Sequence, residues 1–421
     1  MNYREMNKEQ LLAEQTALLM KYDEYKNLGL SLNMARGKPA GDQLDLSEEM
    51  LTTFKNRDCL YEGTDCRNYG NLRGLSGMTK LFSELFHLPE AQIYIGGTSS
   101  LNLMFDTFAR NMIFGAYKGA TPWAAQGKIK FLCPCPGYDR HFAISQCFGA
   151  ELIPVDMTES GPDMDQVRQL IKDPAVKGIW CVPKYSNPTG ITFSDDTVRA
   201  FAALEPAAED FRIFWDDAYE LHDLYEESDS LLNLYDELEK TGKTNMAYFF
   251  ASFSKVTFAG AGIAMMASGK ENMAFAMEII DKQTIGNDKI NQLRHLYFFE
   301  NAQGVYTHMK KHAEILRPKF EIVQEIFDEE LTPCGIGSWS KPKGGYFISL
   351  DLPEGTATRT YQLAKELGVT LTKVGATFPY GKDPLDRNLR IAPSYPTVGE
   401  LRTASEILCL CAKLATIEKM L

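Results

Sequence analysis

No stretch of this chain approaches the roughly 20 consecutive apolar residues that a membrane-crossing helix needs. The opening segment from Met1 to Lys26 carries Glu5, Glu9, Glu14 and Asp23 among its apolar positions, so it lacks the unbroken apolar run of a secretory signal. A cytoplasmic protein with no membrane partner is expected. The cysteines number nine, which is odd, and none are spaced C-x-x-C. That pattern argues against a zinc site or a dithiol redox pair and predicts free thiols and no metal centre. Positive charge is in deficit: the formal net charge is −12, so the overall field repels nucleic acid and anionic membranes, and an anionic substrate needs a local concentration of arginine or lysine. Internal repeats, low-complexity tracts and flexible linkers are missing too, which predicts units packed closely together.

What is there is ordinary globular material, 44% apolar and 24% charged over 421 residues, enough for two domains. Helical spacing (Leu11, Leu12, Gln15, Leu18, Leu19, Tyr22) predicts a helix over 7–27 that stops at Asn27-Leu28-Gly29. Short β-like runs then alternate with amphipathic segments: Ile93–Ile95, Ile129–Cys133, Glu151–Val155, Gly178–Val182, Arg212–Trp215 and Ala247–Phe253. Such alternation predicts a mostly parallel sheet in an α/β domain, with functional residues at the carboxyl ends of the strands. A helical zone over 270–331 precedes Gly344-Gly345-Tyr346-Phe347-Ile348-Ser349-Leu350, read as a strand of a separate α+β unit that extends to Leu421.

Several strand ends carry chemistry. Ala251-Ser252-Phe253-Ser254-Lys255 sets small hydroxyls beside a lone lysine ahead of Phe258-Ala259-Gly260-Ala261-Gly262. This suits a Schiff-base lysine next to an anion site, provided that burial lowers its ordinary pKa of about 10.4; a solvated surface lysine has the same local sequence. Phe211–Trp215 runs into Asp216-Asp217-Ala218-Tyr219. A carboxylate buried there needs a cation, such as a protonated pyridine nitrogen, whereas an exposed one would simply cap a helix. Asn187-Pro188-Thr189-Gly190 is either a plain turn or a hydrogen-bond donor to a phenolate oxygen. Gly96-Gly97-Thr98-Ser99-Ser100 leads from a strand into a helix, where free N–H groups can hold a phosphate.

Taken in order, the glycine-serine turn, Pro136-Gly137-Tyr138, Asn187-Pro188-Thr189-Gly190, Asp216-x-Ala218-Tyr219, Ser252-x-Ser254-Lys255 and Asn388-Leu389-Arg390-Ile391-Ala392 resemble the fold-type I (class I) aminotransferases that use pyridoxal 5′-phosphate (PLP). The likeness is to the aspartate aminotransferase subgroup that lacks the usual phosphate-binding arginine, and it runs from Tyr69 to Arg390. It implies a large PLP-binding domain (46–300) around a mostly parallel seven-stranded sheet, a smaller α+β domain made from both chain ends (1–45 and 301–421), and a homodimer with shared active sites.

The resemblance further implies that Lys255 forms the aldimine with PLP and shuttles the substrate proton. Asp216 would hold the pyridinium, Tyr219 and Asn187 the phenolic oxygen. Tyr138 would stack on the ring, where most members of the aspartate type have Trp. Thr98, Ser99, Ser100, Ser252 and Ser254 would bind the phosphate together with Tyr69 of a second subunit, and Arg390, with Asn187, the substrate α-carboxylate. Eight residues past the lysine, where better-known members have a phosphate arginine, stands Ile263. Arg36, beside Gly37 in Ala35-Arg36-Gly37-Lys38-Pro39, and Arg294 are the candidates for reading a distal carboxylate, and Arg36 is predicted. The expected reaction moves an amino group from an amino acid, first choice aspartate, to 2-oxoglutarate by a ping-pong route. The alternatives are a neutral amino acid as donor, a PLP lyase on the same fold, or a non-catalytic amino-acid-sensing domain.

Overall fold

The computed structural model describes residues 2–55 and 57–421; Met1 and Asn56, which fall in the predicted small and large domains, lie outside them. Eight strands form the central sheet: β1 (Ile93–Ile95), β2 (Lys130–Cys135), β3 (Glu151–Thr158), β4 (Gly161–Pro162), β5 (Val176–Cys181), β6 (Arg212–Asp216), β7 (Ala247–Ser252) and β8 (Ala264–Ser268), in the order β1-β8-β7-β6-β5-β2-β3-β4. β3, β2, β5, β6 and β7 are parallel to one another, and β8 is antiparallel to both β7 and β1. All six strands read from the sequence are present. β8 was not read, and it is the seventh. The eighth, β4, is a two-residue antiparallel turn-back on the end of β3, too short for any sequence period to show.

The inner parallel strands β2, β5, β6 and β7 are buried along almost their whole length because helices cover both faces, so they are apolar runs without alternation, whereas β3, toward the sheet edge, is partly exposed. The predicted first helix is α1 (Lys8–Asn27), which starts at a capping box between Asn7 and Gln10. Gly29, at φ +60°, turns the chain just past its end.

A second sheet is antiparallel: β9 (Ser338–Trp339), β10 (Ile348–Asp351) and β11 (Asn388–Ile391). The strand expected from Gly344 begins only at Ile348. The preceding glycines instead run against Tyr185 and the backbone of His222, so close that a Cβ on Gly344 would collide with the Tyr185 ring. Leu32–Asn33 pairs in parallel with Val369–Thr370, and Leu11, Leu18, Tyr22, Leu32 and Met34 share one core with the C-terminal helix Val398–Met420. The two chain ends are therefore packed as one body. The helix Ala302–Glu330 joins that body to the large sheet, with Val305 and Met309 in the large-sheet core and Leu316, Phe320 and Phe327 in the other. All nine cysteines are free thiols, and among the described residues no helix is long and apolar enough to cross a membrane.

Candidate active site

The carboxyl ends of β2, β5, β6 and β7 open on one cavity of about 470 Å³, roofed by segments of the smaller body. Its lining brings together Ser99, Ser100, Tyr138, Asn187, Asp216, Tyr219, Ser252, Ser254, Lys255, Arg36, Gly37 and Arg390, all singled out from sequence. Three others lie elsewhere. Thr98 is exposed and turns its carbonyl to Ser254 Oγ (3.0 Å), Tyr69 is 81% exposed, and Arg294 donates to Asn291 and lies over the Phe258 ring, away from the cavity.

Lys255 follows β7 in a turn, with Nζ 5.0 Å from the centre of the Tyr219 ring and 5.8 Å from that of Tyr346. Burial holds its amine below the ordinary lysine pKa, opposed in part by the charge of Asp216. More of it is therefore unprotonated and nucleophilic at neutral pH.

Asp216, the last residue of β6, is almost wholly buried, and its Oδ2 lies 3.0 Å from His141 Nε2. Oδ1 is equally buried and has no hydrogen-bond partner among the described residues, a costly arrangement that calls for a cationic donor. Asp217 faces away, as strand alternation requires; it borders a separate small pocket with Glu220, and burial pushes its carboxyl well above the usual range.

His141 was not singled out from sequence. It sits in the first turn of helix α2 (Asp139–Cys147), stacked on Trp180 at 4.5 Å and edge-on to Tyr138 at 4.9 Å. The available signal was its spacing of three residues from Tyr138, which puts both side chains on one face. Tyr138 itself is pushed up to about 12, first by burial and then by the charges of Asp216 and Asp139; burial likewise raises Tyr219 well above the usual phenol range.

A second group of residues surrounds an anion site. Ser99 caps helix α3 (Ser100–Phe114), its Oγ accepting from Leu101 N at 3.2 Å, and Ser252 Oγ donates to Ser254 Oγ at 3.1 Å. Gly262 lies so close to this turn that a Cβ would meet Ser254 N at 3.0 Å and Thr98 O at 3.1 Å. Ile263 is a buried core residue whose carbonyl accepts from Phe253 N at 2.7 Å, so the hydroxyls, N–H groups and helix terminus are what this region offers an anion.

On the roof, Arg390 of β11 stacks on Phe347 (5.0 Å), and its Nη1 donates to Asp139 Oδ1 at 2.8 Å and Asn187 Oδ1 at 3.3 Å. The chain around Arg36 is tied down on both sides: Met34 N donates to Thr370 O (2.9 Å), Ala392 N to Met34 O (3.0 Å), Thr372 Oγ1 to Ala35 O (2.7 Å) and Ser394 Oγ to Lys38 O (2.9 Å). Gly37 crosses the Phe347 ring where any Cβ would collide. The Arg36 side chain is exposed at the cavity rim and makes no ion pair among the described residues. The same is true of Arg140, which sequence reading did not single out.

The profile of the family described as "Aspartate amino-transferase" matches residues 6–421. An aspartate aminotransferase of Corynebacterium glutamicum is 44% identical over 403 residues, covering 94% of this chain and 92% of that protein. The crystal structure of an aspartate transaminase from the same organism superposes with a TM-score of 0.97 at 41% identity, covering 100% of both chains. The fold also matches an α-aminoadipate aminotransferase of Thermus thermophilus complexed with N-(5′-phosphopyridoxyl)-L-leucine, with a TM-score of 0.74 at 18% identity over 94% of each chain. Fold-type I aminotransferases use PLP, and two features of this cavity fit that group: the unpartnered Asp216 Oδ1 for a protonated ring nitrogen, and the hydroxyls of Ser99, Ser100, Ser252 and Ser254 beside the N-terminus of α3 for a phosphate. A profile match over nearly the whole chain, laid on a cavity of this composition, makes the protein an aminotransferase of the aspartate aminotransferase family.

Proposed function

We propose that the enzyme transfers the amino group of a dicarboxylic amino acid, aspartate first, to 2-oxoglutarate by a ping-pong route, as a cytoplasmic homodimer that carries PLP on Lys255. When bound, PLP supplies the electron sink that stabilises negative charge at the substrate Cα. Lys255 Nζ holds the cofactor and then carries the proton to and from that carbon. Asp216, oriented by His141, keeps the ring nitrogen protonated, while Tyr219 and the Asn187 amide hydrogen-bond the phenolic oxygen. Tyr138 stacks on the ring. Ser99, Ser100, Ser252 and Ser254, with Thr98 through its backbone, cradle the phosphate, and the exposed Tyr69 completes the cradle of a second subunit. The division into a 46–300 domain and a domain of both chain ends (1–45 and 301–421) is supported by the core that Leu11, Leu18, Tyr22, Leu32 and Met34 share with the C-terminal helix.

The observation that carries the substrate choice is the pair of arginines on the roof. Arg390 suits the α-carboxylate common to all amino acids, in a planar fork that lysine cannot supply. Its place at the cavity rim, on a segment braced by the same strands and without an ion pair among the described residues, supports Arg36 as the partner of a second carboxylate. Arg36→Met should lower kcat/KM for aspartate by a factor on the order of 100, the size of a desolvated charge contact, and spare alanine. An equal fall for both donors would mark Arg36 as structural, and no change for either would pass the role to Arg140, which lines the same cavity.

A further inference from the structure

Arg390 already has an anionic ligand. Its side chain is 9% exposed and that of Asp139 34% exposed, and the two meet at 2.8 Å through Nη1. Asp139 is the first residue of α2, directly after Tyr138, and it lines the cavity in which substrate must sit. Both N–H groups of Nη1 are engaged, by Asp139 Oδ1 at 2.8 Å and Asn187 Oδ1 at 3.3 Å, so a carboxylate that forks across Nη1 and Nη2 has to displace one of them and, if it displaces Asn187, still lies beside the Asp139 charge. One that forks across Nε and Nη2 leaves both in place but lies beside a second negative charge on the same guanidinium. Both geometries oppose ligand binding.

Orientation of Arg390 does not require that charge. The neutral Asn187 Oδ1 at 3.3 Å, Thr372 Oγ1 at 3.4 Å from Nε, and the Phe347 ring beneath the guanidinium already fix it. What Asp139 adds is an anion held permanently at the site where a substrate anion is wanted, and a charge-assisted contact of this kind is stronger than a neutral one.

We propose that Asp139 is an internal competitor for the α-carboxylate site: it weakens the binding of every carboxylate ligand to Arg390, donor and acceptor alike, and so raises KM and speeds release. This rests on the reading of Arg390 as the α-carboxylate clamp. It does not depend on the choice of aspartate, since the penalty falls equally on one-carboxylate and two-carboxylate ligands.

The test titrates the PLP-loaded wild type, Asp139→Asn, Asp139→Ala and Arg390→Lys with propanoate and with succinate by calorimetry, and measures KM and kcat for aspartate and alanine. Asp139→Asn keeps an oxygen acceptor for Nη1 and removes only the charge. Both anions should bind it roughly five- to tenfold more tightly, the range for a partly exposed ion pair. KM for both amino acids should fall by a similar factor, and the gap to wild type should narrow in high salt. Asp139→Ala should also bind more tightly. Unchanged or weaker binding in Asp139→Asn, with Arg390→Lys weakened, overturns the role of Asp139 alone. Unchanged propanoate affinity in Arg390→Lys overturns the clamp, and the proposal with it.

Discussion

Asp216→Asn separates charge from shape at the cofactor end of the cavity. Asp216 Oδ2 is engaged by His141 at 3.0 Å, and Oδ1 is buried with no partner among the described residues. An asparagine of the same outline can still accept from His141 but offers the ring nitrogen a neutral amide. An ion pair at about 4 Å in surroundings of effective dielectric about 20 is worth about 4 kcal/mol. At about 1.36 kcal/mol per tenfold, its loss should lower kcat by roughly a thousandfold. KM should move little, because the carboxylate clamps belong to the opposite wall. Single-turnover conversion of aspartate, followed by absorbance, measures the chemical step directly. The matched control is Asp217→Asn: that carboxyl faces another pocket, and burial already disfavours its charge, so its rate should stay within about threefold. Equal losses in the two variants, or a drop of less than about tenfold in Asp216→Asn, would refute the argument.

Two further outcomes can be checked on stability and retention. Because burial lowers the Lys255 pKa, the unfolded chain binds the extra proton more readily, so Lys255 destabilises the cofactor-free fold fully below its folded pKa and ceases to do so as pH rises toward about 10.4. Lys255→Met should therefore abolish transamination yet raise the melting temperature of the cofactor-free protein at pH 7, by a margin that shrinks toward pH 10; a margin independent of pH would contradict this. Gly262→Ala puts a Cβ 3.0 Å from Ser254 N and should speed PLP loss about tenfold, a cost of about 1.4 kcal/mol, read by dilution-induced decay of cofactor absorbance; unchanged retention would show that the cradle has room.

The inner parallel strands β2, β5, β6 and β7 were legible because their burial on both faces writes them as apolar runs, and the site followed because chemistry collects beyond the ends of those runs, at Tyr138, Asn187, Asp216 and Lys255. β8 was not legible. Its Ala-Met-Met-Ala-Ser is apolar but lacks β-branched residues, and only its antiparallel fit between β1 and β7 makes it a strand. His141 and Asp139 escaped for another reason: each acts through a residue far away in sequence, Asp216 and Arg390, and no local spacing announces a pairing that the fold alone creates. Arg140 hid among ordinary exposed arginines.

The parallel pairing of Leu32–Asn33 with Val369–Thr370, and the bonds that tie Met34, Ala35 and Lys38 to the strands around Arg390, mount both candidate carboxylate readers on one chassis, while Lys255, Asp216 and the serine cradle belong to another. Selection can therefore retool the two ends of the chain for a longer, shorter or uncharged side chain while the middle, which does the chemistry, is inherited untouched. With Arg36 and Arg390 as the proposed carboxylate readers, the reach between them would act as a caliper: a homologue that changes it should change its preferred amino acid without changing its reaction.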